Sequence, residues 1–440
     1  MTRPVPSTGT IRLPAPLESQ LIRPEDPSYS RWRSTYTRTF RPGGVLIPED
    51  AATVAHALSA VQDESYPLSI RSGGHGMAGR SSNNGGLVID LSQLNGIEVL
   101  NRDRPLVRIG AGARWGTVAQ RLATEGWAIS SGDHGNVGLG GLATGGGVGW
   151  LARSYGLTID NIVAADLVTV DGRQLHVSAD QEPEIFWALR GAGAGLGAVV
   201  SFDIEAMPLE QVGIARLGYR VDSDGRTLSA WASALAESPR ELSAMAMLMA
   251  HGDDLILDVT AVIGPGSEPM IREALDPLLG AGPTHANAQL APYSALVSSA
   301  HEHPNIGQQQ VTSTTAVLPP VDEETARALV QTAMSAQRPA LQFRSLDAAV
   351  TDPDSSDTAF AHRAHQLLVV GMTGGADADE ALATAWQPLA AHSEGAYPGF
   401  ESRLDPAAFA RAYPGQTGER VQRAWEHLDP QGRLRPMPPK

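Results

Sequence analysis

The chain has 440 residues, a net charge of −15 and a pI near 5.2, so we expect it to be repelled by nucleic acid and by anionic membrane surfaces. It contains no cysteine, which excludes disulfides, thiolate metal ligands and a cysteine nucleophile, and any covalent cofactor link must use another side chain. The length suggests two or three domains. Residues 1–16 lack the apolar core of a signal peptide, and no run of about 20 apolar residues occurs. A cytoplasmic location is therefore the default expectation.

The first block of the sequence, up to about residue 210, predicts helices that alternate with short strands. Asp50 is the expected N-cap of a helix, because Val54, Leu58 and Val61 follow it at helical spacing, and a strand at 68–70 comes next. The other predicted elements are a strand at 86–91, a hairpin at 97–100 and 106–109, a helix at 115–122, a hairpin at 167–170 and 174–177, a helix at 183–190 and a strand at 198–204.

A glycine-rich run follows the strand at 68–70. Its residues are Arg71, Ser72, Gly73, Gly74, His75, Gly76, Met77, Ala78 and Gly79. Four glycines in nine residues leave a backbone that can turn sharply and aim its N–H groups at a phosphate. Alone, the run is also compatible with an ordinary tight turn that contains an incidental imidazole.

A second glycine run, from Gly132 to Gly147, favours a phosphate-binding loop over an ordinary turn, because two such loops could hold the two ends of a long, phosphate-bearing cofactor. Residues 138–143 satisfy the dinucleotide-binding pattern, with Asp160 near the position of a ribose-binding acid. That motif must open a helix, however, and the three glycines at 145–147 disfavour one. A nicotinamide-dependent dehydrogenase is therefore the lesser interpretation.

The second block, from about residue 212 to 390, has longer strands and amphipathic helices. Strands are predicted at 214–221, 244–250, 255–263, 311–317 and 365–371, and helices at 227–236, 269–279, 323–337 and 378–391. Their order suggests a loose duplication of an antiparallel sheet backed by helices, hence an α+β fold. A third block, 397–440, contains a helix at 419–426 and is expected to return to the first domain.

Several motifs together resemble one protein class, the berberine bridge enzyme-like branch of the vanillyl-alcohol-oxidase (PCMH-type) flavoproteins. The matching segments are 71–75, 86–92, 137–141 with 145–147, 155–157 with 160–161, 170–172 and 186–191. The resemblance is dense over roughly 44–207 and thinner in the middle, where 358–363 matches best. It implies a PCMH-type FAD-binding domain at 1–210 with a core of about 40–208, a substrate domain at 211–392 whose sheet covers the flavin, and a segment at 393–440 that returns to the first domain.

The resemblance also implies a covalent bond between His75 and the FAD 8α-methyl carbon. The residue at the position of Val137 lies beside the flavin in that family, where a small side chain accompanies reaction with dioxygen. The residues expected to bind FAD are Arg71, Ser72, Gly73, Gly74, His75, Gly76, Met77, Gly79, Gly132, Asp133, Val137, Gly138, Gly140, Gly141, Gly145, Gly147, Val148 and Val199.

This chain departs from the family pattern mainly in its substrate half. Many relatives attach flavin a second time through a cysteine, where this chain has His134, so a single attachment is expected. Other departures are Thr312 in place of a lysine, Tyr397-Pro398-Gly399 in place of Tyr-x-Asn, Asp347-Ala348 in place of paired glycines, and Thr417-Gly418 in place of Asn-Tyr.

The sequence therefore predicts an FAD-dependent oxidoreductase that removes a hydride from a carbon bearing, or next to, a hydroxyl or amine. The substrate is a small organic molecule, dioxygen is the expected acceptor, and no metal is expected. Candidate bases are His134, Tyr397 and His362, with Tyr293 also possible, although Tyr293 and His362 could be structural and His134 could only contact the flavin. A flavin-retaining cyclase or binding protein without net redox turnover is the alternative.

Overall fold

The computed structural model describes residues 11–297, 307 and 310–434, and it arranges them in three larger sheets, a two-stranded pair and flanking helices. In the N-terminal part the elements are α1 Ala15–Glu18, α2 Tyr29–Trp32, β1 Gly44–Leu46, α3 Ala51–Ala60, β2 Leu68–Arg71, β3 Leu87–Asp90, β4 Ile97–Asn101, β5 Leu106–Gly110, α4 Trp115–Ala123, β6 Trp127–Ala128, α5 Leu139–Gly145, α6 Ala152–Tyr155, β7 Ile162–Val168, β8 Gln174–Ser178, α7 Pro183–Ala192, β9 Ala198–Glu205 and β10 Met207–Pro208.

Two sheets form the N-terminal part. The first is parallel, in the order β1-β3-β2, and its central strand is buried along its whole length, as expected for a parallel sheet covered on both faces. The second is antiparallel, in the order β4-β5-β9-β7-β8. Asp50 caps α3 as predicted, because its carboxylate accepts a hydrogen bond from the Thr53 backbone N–H.

A seven-stranded antiparallel sheet dominates the second part. Its elements are β11 Gln211–Val221, α8 Arg226–Glu237, β12 Leu242–His251, β13 Asp254–Ile263, α9 Glu268–Gly280, β14 His285–Pro292, α10 Tyr293–Leu296, β15 Val311–Leu318, α11 Glu323–Ala333, β16 Ala340–Ser345, β17 Leu367–Gly374, α12 Ala378–Ala385 and α13 Gln387–Ala390. The predicted helix at 323–337 ends earlier, at residue 333.

The strand order β14-β11-β13-β12-β16-β17-β15 contains the expected duplication. Each half runs strand, helix, strand, strand, helix, and the halves meet where β12 pairs with β16. Strands β14 and β16 were absent from the sequence-based prediction. The result is the α+β architecture predicted above.

The two faces of this sheet have different partners. Side chains such as Leu367 and Val369 belong to the core under α8, α9, α11 and α12, whereas Leu368 and Val370 belong to the core of the N-terminal part. Because strand side chains alternate between faces, one face is covered by helices and the other is directed at the N-terminal part.

The last helices, α14 Pro406–Ala412 and α15 Gly415–Leu428, lie on the N-terminal part. The indole of Trp425 is fully buried and its Nε1–H donates to the Ala192 carbonyl at 2.8 Å. The domain boundaries at 210 and 392 stay a prediction. None of the helices within the described ranges is long and apolar enough to cross a membrane.

Candidate functional site

A cavity of about 340 Å³ lies where both glycine loops meet the chain segment after residue 397. Strand β2 leads directly into the first loop, and α5 and the turn after α7 contribute further lining residues. The lining includes 72–81 from the first loop, Gly132, Asp133, Val137, Gly138, Gly140, Gly141 and Gly145 from the second, Gly191–Ala194, Val148, Val199, Tyr397–Phe400 and Tyr413.

The two glycine loops are bound tightly to each other. The Ser72 hydroxyl donates to the Ala111 carbonyl at 2.6 Å and accepts from the Gly140 N–H at 3.2 Å. The guanidinium of Arg114 donates to the carbonyls of Gly73 and Asn136 at 2.8 and 2.7 Å. A Cβ on Gly73 or Gly138 would lie well under 3.0 Å from backbone atoms of the other loop, so glycine is required at both positions for this approach.

The second loop contains a helix that the sequence analysis did not expect. Helix α5 covers Leu139–Gly145, so the expectation that the triple glycine disfavours a helix here was wrong. The helix is only seven residues long, Leu139, Ala143 and Thr144 are buried, and it ends where Gly146 adopts a φ of 141°. Tertiary packing stabilises a short helix whose intrinsic propensity is poor. Asp160 binds Arg363 at 2.6 Å instead of facing the cavity.

Two histidines lie side by side near one end of the cavity. His75 stacks on Tyr36, with ring centroids 4.7 Å apart, and its centroid is 5.3 Å from that of His134. His134 Nδ1 accepts a hydrogen bond from the Asn136 N–H at 3.2 Å. Burial, and then the charge of Asp133, raise the pKa of Tyr36.

An ion pair connects this loop to the seven-stranded sheet. Arg344 Nη2 donates to Asp133 Oδ2 and to Gln342 Oε1, both at 2.8 Å, and the Arg344 side chain is 3% exposed. Burial alone would raise the pKa of Asp133, but the charge and hydrogen bond of Arg344 overcome this effect and keep the pKa below its usual value. Asp133 is therefore a carboxylate held in place.

Tyr397 and Phe400 close the cavity from the C-terminal side. The Tyr397 hydroxyl oxygen accepts a hydrogen bond from the Gly147 N–H at 3.1 Å, and burial raises the pKa of Tyr397. The Arg344 guanidinium lies over the Phe400 ring, 4.6 Å from its centroid. A neutral phenol and a cation–aromatic contact thus border the space beside Asp133.

Comparison with known proteins agrees with this arrangement. Residues 42–178 match the family described as FAD binding domain. An uncharacterized FAD-linked oxidoreductase of Bacillus subtilis, YgaK, is 30% identical over 290 residues, covering 64% of this chain and 64% of that protein. The (R)-6-hydroxynicotine oxidase of Paenarthrobacter nicotinovorans is 35% identical over 206 residues, 46% of this chain and 44% of that protein. The matched regions span less than two thirds of either relative's length.

Two solved structures share the fold. A chitooligosaccharide oxidase superposes with a TM-score of 0.85 at 23% identity, over 96% of this chain and 97% of that one. A glucooligosaccharide oxidase from Acremonium strictum, described with a 6-S-cysteinyl, 8α-N1-histidyl FAD, superposes with a TM-score of 0.83 at 20% identity, over 94% and 95% of the chains. Residues 42–178 therefore form a domain of the FAD-binding family, and the chain as a whole shares the fold of these two oxidases. The resemblance found in the sequence is confirmed.

Two features of the cavity walls suit FAD, namely glycine backbone without side chains and a group of apolar valines. Gly76 and Gly141 both line the cavity, and a Cβ placed on either would meet no protein atom within 4 Å. Both glycines therefore present backbone without a side chain at the cavity wall, where a phosphate-bearing ligand can approach closely. The apolar groups of Val137, Val148 and Val199 line the same space and suit a flat ring system.

Most of the residues expected to bind FAD line this cavity, but Arg71 and Gly147 do not. Arg71 is buried and binds Asp90 at 2.6 Å and the Ser34 carbonyl at 3.0 Å, so it anchors strand β2. Gly147 is required by packing, because a Cβ there would clash with Thr158, and its N–H supports Tyr397.

Of the candidate bases, only Tyr397 is in the lining and His134 adjoins it through Asp133. His362 lies outside, with Nε2 3.0 Å from the Arg411 carbonyl oxygen, and Tyr293 contacts Ser131 and has its pKa raised to about 12 by burial. Neither His362 nor Tyr293 is thus placed to act as the base at this cavity. Within the described residues, no group of three histidine or acidic side chains could hold a metal.

His362 should make stability depend on pH. Burial, and then the charge of His365, lower the pKa of His362 to about 4. The unfolded chain then binds more protons than the folded one between about pH 6.5 and 4, so we expect about 3 kcal/mol of stability to be lost as the pH falls through that range. Urea unfolding at several pH values measures this loss. His362→Asn should flatten the dependence, whereas the exposed His251→Asn should not; equal slopes for all three proteins would contradict the assignment.

Sequence reasoning missed Tyr36, Arg114 and Arg344. Arg114 follows the short segment Ala111-Gly112-Ala113, and Tyr36 precedes every recognised motif, so neither carried a local signal. The glycine-rich turn 191–197 also contributes to the site, because its first four residues line the cavity.

Proposed function

We propose that the protein is an FAD-dependent oxidase that acts on a carbon bearing, or next to, a hydroxyl or amine. The observation that carries the proposal is a single cavity that joins both glycine loops to Tyr397, with two adjacent histidines at its edge. Bound FAD would supply hydride acceptance from the donor carbon and electron transfer to dioxygen. Relatives that are named as oxidases of nicotine derivatives and oligosaccharides support the same reaction class.

His75 is the proposed attachment point of the cofactor. It lies in the first glycine loop, lines the cavity and has its ring orientation set by the stacked Tyr36. The chain has no cysteine, so the second, cysteinyl link described for the glucooligosaccharide oxidase has no counterpart. A single covalent bond through His75 is therefore the expected state.

His134 is the better candidate for the base that takes the substrate proton. Burial raises the pKa of Tyr397, so its phenol is protonated at neutral pH and acts as a hydrogen-bond donor, for example to a substrate oxygen or nitrogen, and not as a base. His134 has a ring nitrogen whose present contact is a backbone N–H at 3.2 Å, a bond that a ring shift could replace. Asp133 beside it would stabilise a protonated imidazole.

Removing His134 should therefore slow turnover strongly. We expect His134→Ala to lower the turnover rate by roughly 10²-fold while flavin is retained, because a positioned base contributes about that much. Tyr397→Phe should have a smaller effect, and the exposed His251→Ala should have none. The measurement is hydrogen peroxide release with flavin content as a control. If Tyr397→Phe is the more damaging variant, the base is assigned to the wrong residue.

The oxidase proposal can be tested before the substrate is known. The flavin of the purified protein is photoreduced without oxygen and then mixed with aerated buffer while its visible absorption is followed. Reoxidation within seconds is expected, and Val137→Leu should slow it because a larger side chain would fill space beside the ring. Reoxidation over many minutes would contradict oxidase function. A screen of alcohols and amines for peroxide then finds the donor, and conversion without flavin bleaching under anaerobic conditions would favour the cyclase alternative.

A further inference from the structure

Four methionines cluster on the face of the seven-stranded sheet that is directed at the N-terminal part. On β12, Ala244, Ala246 and Leu248 belong to the helix-side core, so Met245, Met247 and Met249 project from the opposite face. On β17, Met372 shares that face with Val370 and packs against the core of the N-terminal part. Gln342 of β16 lies opposite both Met247 and Val370 in register. We name Met245, Met247, Met249, Met372 and Gln342 the methionine patch.

The patch is connected to the cofactor site through Arg344. Met245 lies opposite Arg344 in the β12–β16 pairing, and Arg344 Nη1 contacts Met245 Sδ at 3.5 Å. The other terminal nitrogen of Arg344 binds Asp133, which lines the cofactor cavity. One side chain thus joins the patch to the loop that carries His134.

The residues of the patch itself carry no charge and are largely apolar. Met247, Met249, Met372 and Gln342 are half-buried, so their surfaces are incompletely covered by the described residues. The charge of Arg344 is balanced by Asp133. Asp258 of β13 is directly opposite Met247 in register, and Arg216 and Arg220 of β11 lie on the same face; all three are exposed, so charged groups border the patch on the β13 side. Gln342 Oε1 already accepts from Arg344, which leaves its NH₂ group as a donor.

We infer that the donor substrate is a neutral, largely apolar molecule with one oxygen or nitrogen acceptor, and that Met247, Met249 and Met372 select it while the Gln342 amide donates to its acceptor. Flexible thioether side chains adapt to rings and make favourable sulfur–aromatic contacts. An oligosaccharide would lose many hydrogen bonds to water against this patch and regain few. The inference rests on the proposed function, because it names the substrate class of that site.

The test measures binding rather than turnover. Wild-type holoprotein is titrated with 1-naphthalenemethanol, a neutral apolar alcohol, and separately with chitotetraose, and binding is followed by calorimetry and by changes in the flavin absorption bands. We expect the naphthalene alcohol to bind and chitotetraose not to bind. Met247→Glu and Met249→Glu should each weaken binding of the alcohol by roughly tenfold or more, because a carboxylate would lose hydration against an apolar ligand. Met270→Glu, a half-buried methionine on α9, is the control and should not change it.

Failure of this inference can be told apart from failure of the proposed function. Binding of chitotetraose, or no binding of the naphthalene alcohol to wild type, overturns the inference, as does unchanged affinity in both glutamate variants with full flavin content. Binding as expected in a protein whose reduced flavin does not react with dioxygen would overturn only the oxidase proposal.

Discussion

Gly138→Ala should yield a protein that purifies without flavin. A Cβ at this position would lie well under 3.0 Å from Ser72 and from the backbone of Gly73, and backbone atoms cannot move aside cheaply. The two glycine loops would have to separate, and the Ser72 and Arg114 hydrogen bonds that join them would break. The cavity would lose its shape at the place where both loops meet.

Two further alanine variants give this prediction its controls. Gly280→Ala, at the end of α9, meets no atom within 4 Å and should change neither flavin content nor stability by more than about 1 kcal/mol. Gly141→Ala also meets no protein atom, but Gly141 lines the cavity, so we expect a normally folded protein with reduced flavin content. Flavin-to-protein ratio and urea unfolding are measured together. Full flavin content in Gly138→Ala would contradict the assigned cavity.

Arg344→Met should be among the most destabilising single substitutions in the sheet. It leaves Asp133 partly buried without its counter-charge, and we expect the free energy of unfolding to fall by about 3 kcal/mol, as is typical when one partner of a buried pair is removed. The combined variant Arg344→Met with Asp133→Asn should regain much of the loss, because no unpaired charge remains. Urea unfolding near neutral pH measures both.

Two controls accompany the Arg344→Met prediction: the pH dependence of stability, and removal of an exposed ion pair. The pKa of Asp133 is lowered in the folded state, so the contribution of the pair is present above about pH 4 and is lost as the pH falls through the lower folded value. The gap between wild type and the double variant should shrink accordingly in acid. Arg220→Met breaks an exposed pair with Asp254 and should cost under about 1 kcal/mol. If Arg344→Met and Arg220→Met lower the free energy of unfolding equally, the Arg344–Asp133 pair contributes no more than an exposed pair, which would contradict this prediction.

Local patterns predicted much of the fold. The Asp50 cap and the hairpins of the N-terminal part depend on neighbouring residues, so they could be recognised from the sequence. Strand β14 could not be recognised in this way, because it is an exposed edge strand with almost no apolar alternation. Strand β16 did alternate, with Leu341 and Phe343 buried under the helices and Gln342 and Arg344 on the other face, and its signal was available but overlooked.

Some residues of the candidate site could be recognised from local sequence, whereas others come together only through the fold. Glycines that shape the cofactor loops are consecutive in sequence and were found, whereas Arg344 and Asp133 are 211 positions apart and meet only through the fold. The same holds for Tyr397, whose contact with Gly147 spans 250 positions. His362 has the residue type of a base, but its burial and its contact with the Arg411 carbonyl could be known only from the structure.

The attachment of flavin to His75 is the most direct test of the account. Purified protein is precipitated with acid, digested with trypsin and analysed by mass spectrometry. We predict that the pellet stays yellow, that the peptide containing His75 carries the mass of the flavin, and that His75→Ala releases all of its flavin to the supernatant while still binding some before denaturation. Recovery of all flavin in the supernatant from wild type, or a flavin-bearing peptide that lacks His75, would contradict the account.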